Sequence, residues 1–82
     1  MGLEVLFKKY FVTETGTEEP GKQDYGPYFI KKRAERKLEE IKTERIKQGW
    51  EQNPFDRNLL VKLSNGVYHF KYEIKTVSNR II

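Results

Sequence analysis

The sequence predicts a small α+β domain with elements in the order β-α-β-β: a three-stranded sheet and one helix packed on one of its faces. Three observations carry this. Asn65-Gly66 separates two alternating apolar runs, the strongest short-range signal for a β-hairpin. Lys31 to Gln48 reads KKRAERKLEEIKTERIKQ, a run of strong helix formers with apolar residues three and four apart. Tyr10-Phe11-Val12-Thr13 is β-rich and lies early in a chain of 82 residues, the length of one domain spanning 1–82.

Residues 3–14 read as the first strand. A β-bulge at Lys8-Lys9 reconciles the two parities of Leu3, Val5, Phe7 and of Tyr10, Val12. Residues 15–26 (TGTEEPGKQDYG) read as a loop, because glycine, proline and acidic or amide residues dominate them. The helix is expected over about residues 28–48, with Pro27 tolerated at its start. Ile30, Ala34, Leu38 and Ile41 form its core stripe, and Arg45 continues that stripe with a stem that can snorkel. Gly49 is the natural residue to end the helix.

Residues 49–58 form a turn-rich connection in which Trp50 and Phe55 fold back over the edge of the core. The hairpin occupies 59–77 and the tail 78–82. With Ser64 opposite Val67, the pairs Leu63/Tyr68, Val61/Phe70 and Leu59/Tyr72 share the face that the helix covers. Leu60, Lys62, Val67, His69 and Lys71 then lie on the open face. The last strand outruns its hairpin partner, so the first strand is expected beside it, antiparallel, at the centre of the sheet. A parallel place beside the second strand is the competing order.

Chemistry is constrained by what the chain lacks. It has no cysteine and one histidine, too few members for a Cys-His dyad or a His/Cys zinc site. His69 reads as an exposed strand residue. No Gly-x-Ser-x-Gly turn and no glycine-rich phosphate loop is present. Glu18, Glu19 and Asp24 supply carboxylates without a spacing that converges on a cation. The expectation is therefore no enzyme, no cofactor and no metal. The first twelve residues carry charges where a secretory signal needs an apolar run, and no stretch has membrane-spanning length. A cytoplasmic protein without a membrane partner is expected.

The net charge of +4 and pI near 9.4 permit contact with nucleic acid. On the helix, however, acids and bases interleave, with Glu39/Lys42 and Glu44/Lys47 at i,i+3, as on a solvated surface. The leading reading is a non-catalytic module that acts by occupying a protein partner. Contact candidates are Trp50, Phe55, Leu60, Lys62, His69, Lys71 and Lys75. The acids Glu14, Glu18, Glu19 and Asp24 are a further set, able to imitate phosphate for a basic partner. In size and Lys/Glu/Ile-rich composition the chain resembles the short stand-alone proteins of bacteriophages and mobile elements, anti-CRISPR proteins among them. That resemblance implies inhibition of a host or defence protein. Two other readings stay open: sequence-tolerant nucleic-acid binding through a basic sheet face and the helix, and a self-assembling subunit that dimerises through the open sheet face or an edge.

Overall fold

A computed structural model of the chain describes the backbone of residues 5–17, 21–63 and 67–81. The elements are β1 (Val5–Gly16), β2 (Lys22–Tyr28), α1 (Lys31–Lys47), β3 (Glu51–Gln52), β4 (Leu59–Leu63) and β5 (Val67–Ile81). One helix does pack on an antiparallel sheet, as expected, but the sheet has five strands, in the order β2-β1-β5-β4-β3. The first and last strands lie side by side and antiparallel over the whole of β1, from Val5↔Ile81 to Gly16↔Phe70.

Two stretches read as loops contribute the additional strands. Lys22–Tyr28 pairs with β1 although it holds Asp24, Gly26 and Pro27. It is an edge strand, where proline and acidic residues are tolerated. Glu51–Gln52 adds a two-residue edge beside β4. The bulge lies elsewhere than at Lys8-Lys9, where β1 and β5 pair without interruption. It falls on the β2 side: Tyr10↔Tyr28 is followed by Val12↔Tyr25, so the extra residue belongs to β2, next to the cis peptide Gly26-Pro27. The helix accordingly starts at Lys31, after Tyr28 has ended β2. The expected tail 78–82 is strand as far as Ile81.

The hairpin is shifted by one residue from its expected register. Leu60 faces Phe70, Lys62 faces Tyr68, and the last pair is Leu63↔Val67. Three residues, not two, therefore separate the strands. Ser-Asn-Gly also suits a three-residue connection with glycine last, but 64–66 lie outside the described residues. The consequence is large, because a one-residue slip turns a strand over. Leu60 is fully buried, whereas Leu63 is 78% exposed. Tyr68, Phe70 and Tyr72 keep the helix side assigned to them. Leu59, Val61 and Leu63 do not.

The core is small and aromatic. Val12, Ala34, Leu38, Leu60 and Tyr72 are buried, and Tyr10, Tyr25, Tyr28, Ile41, Trp50, Phe70 and Ile74 pack around them. On α1 the buried residues are Ala34, Leu38 and Lys42, with Ile41 and Arg45 half-buried, while Ile30 is 55% exposed and off the core. Gly49 ends the helix with φ +99°. Trp50 N–H donates to Arg45 C=O at 3.1 Å, and Gly49 N–H donates to Ile46 C=O at 3.1 Å. This is a Schellman cap, which satisfies the last carbonyls and sends Trp50 straight back onto the sheet.

Candidate functional site

The connection between β3 and β4, residues 53–58, is closed by its own polar groups. Asn53 Oδ1 accepts the N–H groups of Phe55 (2.8 Å) and Asp56 (3.1 Å), an Asx turn with Pro54 inside it. Asp56 Oδ1 accepts Asn58 N–H at 3.0 Å, and Gln52 Nε2 donates to Arg57 C=O at 2.9 Å. Backbone bonds from Asn53 N–H to Leu59 C=O and from Leu59 N–H to Asp56 C=O shut the base of the loop. Asp56 also pairs with Lys71 of β5. That contact, together with the bond from Asn58 N–H, holds the Asp56 carboxyl below the ordinary carboxylate range.

On this stiffened loop Phe55 is 97% exposed. It does not cap the core, so the expected fold-back holds for Trp50 alone. Trp50 packs against Phe70 with ring centroids 4.5 Å apart and planes tilted by 55°, and Arg45 lies over the same Phe70 ring, with its Cζ 4.4 Å from the centroid. Lys62 Nζ is 5.7 Å from the Trp50 ring centre and 3.4 Å from Gln48 C=O. Trp50 and Lys62 thus belong to the packing between helix and sheet.

Two further candidates change place for the same reason. Leu60 is core, at 0% exposure, and offers no surface to a partner. Lys62 is on the helix side, so the expected trio of Lys62, Lys71 and Lys75 around His69 does not form. His69 and Lys75 are exposed on the open face, where His69 faces Val61, and Lys71 there is held by Asp56. Glu18 and Glu19 lie outside the described residues. Asp24 is exposed on β2 and accepts the Thr13 hydroxyl at 2.9 Å. Glu14, grouped with the loop acids, is buried instead.

Glu14 sits on β1 with 3% exposure. Its carboxylate accepts Arg45 Nε and a second guanidinium N–H at 3.3 and 3.2 Å, and the Tyr72 hydroxyl at 2.5 Å. Burial and the bond to Glu14 push the Tyr72 phenol well above its ordinary range. The sequence reading missed this cluster; its only signal was Arg45 on the core stripe, a cation needing a partner if it turned inward. A cleft of about 330 Å³ beside it is lined by both signs of charge, including Lys37, Glu40, Glu44 and Arg45. Lys37 and Glu40, one turn apart on α1, already pair with each other at 3.4 Å.

Among the described residues no group of three or more His, Asp or Glu side chains is placed to hold a metal ion, and no helix is long and apolar enough to cross a membrane. Compared with known proteins, the chain matches no family model, no curated protein and no solved structure.

Proposed function

We propose that the protein is a non-catalytic binding module that acts by occupying a protein partner, with Phe55 as its anchor. The observation that supports this is an aromatic ring left almost wholly in water on a loop already ordered by its own hydrogen bonds. Aromatic anchors dominate interface energetics, and a loop ordered beforehand loses little entropy on binding. In its finer form the proposal takes the partner to be a host or defence protein, as the likeness in size and composition to phage-encoded inhibitors implies. Nucleic-acid binding has less support, because the register shift removes Lys62 from the open face.

The test is affinity capture from a lysate with the native chain and with Phe55→Ser, each with and without nuclease and at low and high salt. One discrete protein retained by the native chain in all conditions, and lost with Phe55→Ser, is the expected result. Retention of the same protein by Phe55→Ser, or capture abolished by nuclease, overturns the proposal. Phe55 touches so little of the fold that the variant is expected to unfold like the native protein.

A further inference from the structure

β5 is fifteen residues long and has β1 on one side from Phe70 to Ile81. On its other side β4 pairs only with Val67 to Lys71, and Tyr72 N–H then donates to Asn58 C=O at 2.9 Å. Beyond that point, among the described residues, no strand lies on this side. Peptide groups alternate in direction along a strand. The outward N–H and C=O at Tyr72 therefore put those of Ile74, Thr76, Ser78 and Arg80 into the empty lane as well. Proline and bulges, two devices that blunt an exposed edge, are both missing from β5.

The far part of this edge belongs to a two-stranded arm. β2 reaches only to Tyr10 on β1, so Val5 to Lys9 and Val77 to Ile81 pair with each other and with nothing else described. A two-stranded ribbon is marginal in water, and three or more strands are needed for independent stability. The strand that completes the arm must be available wherever the chain itself is. A second copy meets that condition.

We infer that the protein dimerises by antiparallel pairing of the free edges of β5, about a two-fold axis at Ser78. This register uses the whole edge: Ser78 meets Ser78 of the second copy, Thr76 meets Arg80, and Lys75 meets Ile81. Like charges are nowhere opposite each other. Over the described residues the pairing runs from Lys75 to Ile81 and leaves untouched the lane at Tyr72 that Asn58 fills. The two arms become one four-stranded sheet, β1-β5-β5-β1, with isologous symmetry. The arm and its edge carry Lys8, Lys9, Lys75 and Arg80 and no Asp or Glu. The dimer accordingly tightens as salt screens them, opposite to the behaviour of a complex with nucleic acid.

The absence of cysteine makes the test direct. Ser78→Cys is expected to give a disulfide-linked dimer under mild oxidation, because directly opposed residues of a hydrogen-bonded pair are about 5.5 Å apart at Cα. Thr76→Cys alone is expected not to cross-link, but to do so when mixed with Arg80→Cys. By sedimentation the native chain should weigh twice its 9.8 kDa. Thr76→Pro, which removes a donor aimed away from β1, should fall to the single-chain mass. A native chain that stays monomeric at high concentration overturns the inference, as does equal cross-linking by Ser78→Cys and Thr76→Cys. A dimer that persists in Thr76→Pro overturns it too. If Thr76→Pro does not fold, the cysteine pairs decide alone. Phe55→Ser should leave the dimer intact, so failure of the partner proposal and failure of this one are separable.

Discussion

Glu14 is the residue whose environment matters most. A carboxylate taken out of water must be neutralised by a partner or by hydrogen bonds, and Glu14 has both, from Arg45 and Tyr72. Removing the Tyr72 hydroxyl withdraws one bond to a charged acceptor, so Tyr72→Phe is expected to cost about 2 kcal/mol of stability near neutral pH. The raised phenol pKa fixes the sign of the pH dependence. The folded state keeps its proton above pH ~10, where the unfolded phenol loses it. The stabilisation is therefore complete below that pH and declines as pH rises toward the folded value. Urea midpoints of native and Tyr72→Phe protein should differ most at neutral pH and converge in alkali. A difference independent of pH would show that the hydroxyl is not the linked group. Along the chain only Arg45 on the core stripe pointed to this, because Glu14 and Arg45 are thirty-one residues apart and meet only when β1 lies beneath the helix.

At the scale of elements, the helix was the most readable. Ala34, Leu38 and Ile41 are spaced for one face, and Gly49 forms the cap that its position implied. β2 was hidden because its Gly, Pro and Asp residues belong equally to loops and to edge strands. The hairpin was found but turned over in one strand, since Asn-Gly signals a turn without setting whether two or three residues lie between the pairs. The start of the helix is its weak point. Ile30 occupies the N-cap in extended geometry, φ −119° and ψ 122°, without a side-chain bond, and no acid stands in the first turn. Lys31, Lys32 and Arg33 there oppose the helix dipole. Ile30 is more than half exposed, so Ile30→Asp sacrifices little packing and supplies the missing acceptor. It should stabilise the protein by about 1 kcal/mol, raising the melting temperature by roughly 4–8 °C for a domain of this size. An unchanged melting temperature would mean that the helix end is held by packing alone.

At the scale of the whole molecule, the fold is long rather than round. It extends 61 × 22 × 20 Å with a Cα radius of gyration of 15.8 Å, where a compact chain of this length would have about 12 Å. β1 and β5 run on as a two-stranded arm beyond the last pairs that β2 and β4 make with them. Stability should therefore be divided along β5 itself. Lys71, Glu73, Val77 and Asn79 all direct their N–H groups to β1, as follows from the opposite direction at Tyr72. They differ in what else the strand touches. Near Glu73 the sheet carries the core, whereas near Asn79 only two strands remain. In dilute solution the Asn79 amide should exchange on the order of a hundredfold faster than that of Glu73, with little dependence on urea, because the arm opens locally while the core stays closed. As protein concentration rises, exchange at Asn79 should slow toward that of Glu73, since pairing of two arms closes the same opening. Protection at Asn79 that is high and independent of concentration would instead show that two strands suffice, and the physical reason for a second copy would be gone.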